Sequence, residues 1–381
     1  MRAANESFDV GIVGGGPAGA AAAIALARAG CKTLLIDAPK TRGFRAGETL
    51  AGAARETLGA LDCEDWLGES EHLPSAAIES AWGSEELAGQ LAITNPYGGG
   101  WHLDRLAFDR KLVDTAETSG AVVWRNTRVS ALQRSVDFRI RGKCADRERK
   151  AQVSFVIDSS GASRFVARKL GGSAEVIDRQ VGVVAELEAR GADAQLSPSL
   201  LLEAAERGWW YSVPVPGGRA IAAFMSDADL ISGSSTKPSK LWTSELKCST
   251  HTRARLQEFS PKNVRVFACN GSRLREAGGP GWAAVGDAAM VFDPLSSMGI
   301  AKALDSGLAV ARGILAVGPS PTLRLEDYEE TCQQDFQHYL ASRSWFYTRE
   351  QRWPTSPFWQ RRHQASPVPD IRMPLATERA S

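Results

Sequence analysis

Hydrophobic residues in this chain fall first into a strand–helix–strand rhythm. Residues 8–13 predict a short buried strand, 20–29 a helix of small residues, and 33–36 a second apolar strand closed by Asp37. Further along, Leu106, Phe108, Leu112, Val113 and Ala116 share one face of a helix predicted over 105–120. Strands are expected over 79–82 and 92–101. Short antiparallel strands are expected over 122–124, 130–134 and 138–141. An apolar strand over 153–157 runs into Asp158-Ser159-Ser160-Gly161. The runs 182–189, 200–202, 209–213 and 220–226 suggest a second sheet, and 241–259 reads as a helix. Residues 282–285 form another buried strand, followed by Gly286-Asp287 and a helix over 299–316. The chain after 325 starts helical and turns proline-rich beyond Trp353.

Between the first strand and helix stands Gly14-Gly15-Gly16-Pro17-Ala18-Gly19, with G-x-G-x-x-G spacing on Gly14, Gly16 and Gly19. Gly14 permits a tight turn, Gly16 lets backbone approach a pyrophosphate, and Gly19 lets helix and strand pack closely. Free N–H groups and the dipole at the helix start favour negative charge there. Asp37 is placed to accept hydrogen bonds from a ribose. A bare glycine turn would be weak evidence. Here strand, helix, second strand and acid all follow in order, so the unit is expected to bind the ADP half of a dinucleotide.

Composition narrows the partners. A net charge of +1 gives no field to attract nucleic acid or an anionic membrane. No apolar run has the length of a membrane span, and the N-terminal apolar stretch reads as the dinucleotide unit rather than a signal peptide. Six scattered cysteines without C-x-x-C fit reduced thiols in a cytoplasmic protein. Five dispersed histidines indicate no metal site. The 11 tryptophans either fill cores or line a pocket for a flat substrate.

Three further motifs join the glycine turn: Arg45-Ala46-Gly47-Glu48-Thr49, Asp158-Ser159-Ser160-Gly161-Ala162-Ser163-Arg164, and Gly286-Asp287-Ala288-Ala289 with Asp293-Pro294 and Gly299. In this order they resemble the FAD-dependent monooxygenases of the para-hydroxybenzoate hydroxylase fold, near the flavin halogenase and geranylgeranyl reductase branches. The resemblance covers residues 8–316. It implies an α/β (α+β overall) protein. A Rossmann-type FAD domain would occupy 1–75, 102–172 and 265–320. An inserted antiparallel β-sheet substrate domain would occupy 76–101 and 173–264, and a helix and proline-rich tail 321–381. By the same resemblance Gly14, Gly16, Pro17, Ala18, Gly19 and Asp37 hold the ADP end of FAD. Asp287 bonds a ribityl hydroxyl, and Arg105 lies beside the phosphates or ribityl chain. Pro294, Met298 and Gly299 border the pyrimidine ring, while Arg45 and Glu48 shape the flavin side of the pocket. Two positions depart from the pattern. Met290 stands where histidine is frequent, and Ser159 replaces the first glycine of the D-G pair.

The resemblance implies three chemistries: hydroxylation, halogenation and double-bond reduction. The halogenase branch carries W-x-W-x-I-P and a lysine downstream of the glycine turn. Here the first reads Trp209-Trp210-Tyr211-Ser212-Val213-Pro214, and no lysine lies between Lys40 and Lys111. The reductase branch is matched equally loosely, without an amphipathic basic helix for a lipid surface. Hydroxylation of an electron-rich aromatic leads. The segments Ser80-Ala81-Trp82-Gly83, 95–105, Gly208-Trp209-Trp210-Tyr211 and 293–300 resemble flavoproteins that mature tryptophylquinone enzymes by hydroxylating a tryptophan in a partner protein. Trp82, Trp101, His102, Trp209, Trp210 and Tyr211 are the pocket candidates. Of these His102, Trp209 and Tyr211 are candidates for catalysis, and the plain alternative for each is a core residue. Electrons would come from NAD(P)H or a separate flavin reductase. A non-catalytic flavin-binding maturation partner is the alternative of another class. The basic and aromatic stretch 349–363 reads either as a segment packed on the body or as a docking surface for a protein substrate.

Overall fold

The computed structural model describes residues 6–38, 47–68, 72–92, 95, 97–145, 147–192, 194–232 and 237–364. Arg45 lies outside them. The central sheet has eight strands; five are parallel, in the order Trp282–Ala284, Arg147–Asp158, Glu6–Val13, Thr33–Ile36 and Val122–Trp124, and Gly278–Gly279, Phe138–Cys144 and Arg128–Arg134 add to it antiparallel. Val10, Ile12, Leu34, Leu35, Val156 and Ile157 are fully buried in it, as expected of strands covered on both faces. The helix Pro17–Arg28 packs against the helix Gly299–Val317. A Cβ on Gly307 would sit 2.1 Å from the Ala18 carbonyl oxygen, so the two backbones touch.

The second sheet has seven strands: Phe259–Ala268, Gln180–Ala189, Arg219–Asp227, Gly208–Val215, Ser199–Ala205, Ala77–Ala81 and Ala88–Leu91. Its pairs are antiparallel except Ser199–Ala205 on Ala77–Ala81, which is parallel. Side chains alternate between faces along a strand. Trp209 therefore joins Val213, Ile221, Tyr347, Phe358 and Trp359 on one face. Trp210 joins Phe224, Trp242 and Phe259 on the other.

Four expectations need correction. Val122–Trp124 pairs parallel with Thr33–Ile36, not antiparallel, because the intervening helix Arg105–Thr118 returns the chain to the same end of the sheet. The predicted helix over 241–259 is two helices, Pro238–Cys248 and His251–Arg255, and Phe259 already opens a strand. Ser249 is extended, and the buried Glu203 carboxylate accepts from the N–H groups of Thr250, His251 and Thr252. A residue remote in sequence thus starts the second helix. Among the described residues of 92–101, no strand comes before Trp101. Asn95 makes a turn there, accepting from the Tyr97 N–H through its side chain and from Gly98 N–H through its carbonyl. Trp101–Leu103 instead pairs with Thr49–Leu50 and His72–Pro74 in a small separate sheet. Trp82 falls just past the strand Ala77–Ala81.

After Gly318 the long helix Glu326–Arg349 packs Tyr328, Phe336 and Tyr339 into the core around the central sheet, and its end at Tyr347 joins the short helix Pro357–Gln364 against the second sheet. Phe358 and Trp359 are fully buried. Arg352 pairs with Glu350, Arg361 with Asp227 and Asp229, and Arg362 with Asp227. Through residue 364 the basic and aromatic stretch is therefore a packed segment, and its docking reading is set aside. Its rings face inward and these cations are already paired.

Candidate active site

The site begins where the first strand stops. Gly14 has φ of +121°, and a Cβ there would lie 2.2 Å from the Ser159 carbonyl oxygen. A Cβ on Gly19 would lie 2.0 Å from the Gly14 carbonyl oxygen. Ser159 also explains the missing family glycine: its hydroxyl donates to the Val13 carbonyl at 3.0 Å and the Gly14 carbonyl at 2.7 Å. The serine staples the turn that a glycine in its place would have left bare. The helix Pro17–Arg28 opens at Gly16 with proline in its first turn and no side-chain cap, leaving N–H groups for an anion. Asp37 stands behind this turn, where its carboxylate would lie 2.4 Å from a Cβ on Gly15. Glycines, helix start and acid fit the ADP end of FAD.

Asp287 follows the strand Trp282–Ala284, and its side chain is 51% exposed. One carboxylate oxygen meets Lys302 at 3.3 Å, so the group can still accept from a ligand hydroxyl. Pro294 opens the short turn Pro294–Ser296, and Met298 precedes the uncapped helix that starts at Gly299. This loop is tethered through buried Asp293. Its carboxylate accepts from Leu295 N–H at 3.0 Å, Gln180 at 3.2 Å, Tyr347 at 2.8 Å and Arg343 at 3.4 Å.

Arg105 is buried. It donates to the Gly47 carbonyl at 2.5 Å and pairs with Asp109 at 3.3 Å. It therefore holds the Gly47–Glu48 bend directly. Glu48 is 4% exposed. One of its oxygens faces the Tyr211 hydroxyl at 3.4 Å, and the other has no protein partner. Burial pushes its pKa up to about 7. Its own backbone N–H, the Arg105 charge and the Tyr211 hydroxyl pull the other way. Glu48 and Tyr211 join the motif expected at the flavin to the second sheet.

The aromatic candidates separate into groups. Trp209 donates to the Tyr347 hydroxyl at 3.0 Å, and its ring lies 6.2 Å from Trp82 and 6.4 Å from Tyr211. Trp210 packs on Trp242 and Phe224 behind the sheet, away from this group. Trp101 is buried under the Arg55 guanidinium at 4.2 Å. His102 is fully buried with neither ring nitrogen in hydrogen-bond geometry, although the Pro198 backbone faces it. Burial, then the Arg255 charge, pushes it down to about 4, so His102 is neutral at pH 7. Sequence reasoning missed Lys302, Tyr347 and Arg343. Lys302 alone left a local signal, three residues after Gly299, and the other two come from a helix outside every motif. Among the described residues no group of histidine, cysteine, aspartate and glutamate could hold a metal ion, and no helix is long and apolar enough to cross a membrane.

The value of Glu48 sets a pH test. Its carboxyl titrates near 4.5 when unfolded and near 7 when folded. The folded state thus binds a proton that the unfolded chain has released. The stability from this proton is full below about 4.5 and is lost as pH rises through about 7, with a total of about 3 kcal/mol. Urea denaturation of wild type and Glu48→Gln at pH 5 and pH 8 should show the variant losing less stability over the interval, by about 2.5 kcal/mol of that total. Parallel losses would remove Glu48 as the group responsible.

Residues 7–342 match the family described as FAD binding domain. The chain is 28% identical over 372 residues to the putative FAD-dependent oxidoreductase LodB of Marinomonas mediterranea, covering 95% of this chain and 98% of that protein. It is 27% identical over 346 residues to a digeranylgeranylglycerophospholipid reductase of Methanosarcina mazei, covering 87% and 81%. In fold it is similar to the myxobacterial chondrochloren halogenase CndH, with a TM-score of 0.80 at 22% identity, covering 94% of this chain and 86% of that one.

Proposed function

The chain belongs to the FAD binding domain family and is a flavin-dependent oxidoreductase, and on that premise we propose that it hydroxylates an electron-rich aromatic ring, an indole of tryptophan in a partner protein. The observation that carries this reading is the buried Glu48–Tyr211 pair beside the Trp209 face of the second sheet. Bound FAD supplies the oxygen-activating redox chemistry. Replacing a ring hydrogen by hydroxyl requires that the ring carbon lose a proton. Glu48 is a carboxyl whose value near 7 suits it to accept a proton at neutral pH. The Tyr211 hydroxyl holds Glu48 in place, and Trp209 supports Tyr211 from the side. His102, held neutral and pushed down to about 4, is a poor base and serves as buried structure. Gly14, Gly16, Pro17, Ala18, Gly19 and Asp37 take the ADP end of FAD, and Asp287, Pro294, Met298 and Gly299 the ribityl and ring end. Arg105 supports the bend that carries Glu48. Electrons come from NAD(P)H or from a separate flavin reductase.

Halogenation is disfavoured by the placement of the buried lysine. The partners of Lys302 are Asp287, the Met290 carbonyl and the Phe292 ring. None belongs to the Trp209 face. The test incubates reduced holoprotein and oxygen with free tryptophan and with tryptophan-containing polypeptides. A mass gain of one oxygen on a polypeptide tryptophan is expected. A gain of halogen or of two hydrogens, with halide and an isoprenoid alkene offered in parallel, would replace the reading. Product from free tryptophan alone would keep the chemistry and reject the protein substrate.

A further inference from the structure

Lys302 sits where elementary electrostatics disfavours a lysine. Its ammonium is buried, with the side chain 8% exposed, and an isolated buried ammonium is strongly disfavoured. It also lies in the first turn of the helix Gly299–Val317, its backbone N–H bonded to the Met298 carbonyl. The N-terminus of a helix is already its positive end. Two unfavourable terms therefore add at one side chain. The protein offsets them with Asp287 at 3.3 Å, the Met290 carbonyl and the face of the Phe292 ring at 4.5 Å. Arg164, also buried, acts on Asp287 as well, sharing its charge with Asp158. Burial holds the lysine below its ordinary value, and Asp287 offsets part of that. A cation placed against both its solvation and the dipole adds to the positive potential of the helix start. That potential is useful to an anion bound there.

We propose that Lys302 is a positioning residue for FAD: its ammonium fixes Asp287 for the ribityl hydroxyl and joins the helix start in stabilising the reduced, anionic flavin over the oxidised one. Lys302 need not touch the cofactor, since it acts through Asp287 and through charge. The consequence has two separable readouts. Asp287, once untethered, holds FAD less well. Loss of the charge favours the oxidised cofactor and lowers the midpoint potential.

The experiment measures FAD affinity by fluorescence titration and midpoint potential by dye-coupled reduction on the full chain. Lys302→Met is expected to bind FAD about 10- to 100-fold more weakly, the range for hydrogen bonds to charged groups. Its midpoint potential should fall by about 30 mV or more, which is a tenfold preference for a two-electron couple. Lys302→Gln keeps donors for Asp287 and Met290 without the charge. It covers the case in which the methionine variant does not fold, and it should retain affinity within a few-fold while showing the lowered potential. Lys302→Arg should retain the wild-type potential. The tether is read by Asp287→Asn. Adding Lys302→Met to it should cost little further FAD affinity, because both act on one contact. A wild-type potential in Lys302→Gln, or full additivity with Asp287→Asn, overturns the proposal. So does a variant that is less stable but unchanged in affinity and potential, since that is the result of a purely structural lysine.

Discussion

Gly14→Ala is expected to purify without flavin. The added Cβ would stand 2.2 Å from the Ser159 carbonyl oxygen in a backbone at φ of +121°. Relief would require the turn to move away from Ser159, whose hydroxyl is bonded to Val13 and Gly14. Backbone strain of about 1–3 kcal/mol and overpacking of a similar size put the loss of stability at about 2–6 kcal/mol. The same shift turns the N–H groups at the start of Pro17–Arg28 away from the pyrophosphate. The ratio of flavin to protein absorbance after purification, with urea denaturation of the apoprotein, reads both effects. Gly30→Ala is the control. Gly30 also has a positive φ, of +82°, but no atom lies within 4 Å of its added Cβ. It should cost about 1 kcal/mol and leave FAD bound. Equal flavin content in the two variants would mean that the turn does not hold the cofactor.

Arg343→Met should be the most damaging substitution outside the recognised motifs. Arg343 reaches Asp178 at 2.7 Å and Asp293 at 3.4 Å, and all three side chains are largely buried. Removing one member of such a group leaves uncompensated buried charge, at a cost of about 3–5 kcal/mol. Asp293 also caps Leu295 and anchors Tyr347. The loop proposed to border the flavin ring should therefore loosen together with the helix Glu326–Arg349. Urea denaturation and FAD titration of Arg343→Met should both shift. Adding Asp178→Asn should recover part of the stability, since it neutralises one stranded carboxylate. If the double variant is less stable than Arg343→Met, the charge account is wrong.

Distance along the chain separates what is legible in the sequence from what is not. The glycine turn, Asp37, and Gly286-Asp287 with its following helix are local devices, and each was legible because its chemistry lies within a few consecutive residues. Strands buried on both faces, such as Thr33–Ile36, announce themselves by composition. The strand Phe259–Ala268 did not. It lies at the sheet edge, carries Pro261 and is exposed or half-buried along most of its length without a two-residue alternation, so its pattern is weak. The helix over 241–259 was misread because what divides it, Glu203, is more than forty residues away in sequence.

By itself, the sequence determined the cofactor class of this protein. The four motifs proposed to hold FAD are turns, helix starts and strand ends, all of which are encoded by short-range sterics and hydrogen bonding. Only the tertiary structure decided which side chains share the site. Alternation along one strand sent Trp209 and Tyr211 to one face and Trp210 to the other. Burial set Glu48 near 7 and His102 near 4, and desolvation depends on every neighbour at once. The long C-terminal helix brought Tyr347 and Arg343 onto Asp293 across some fifty residues of chain. Such meetings are fixed by packing, which no local pattern of residues records.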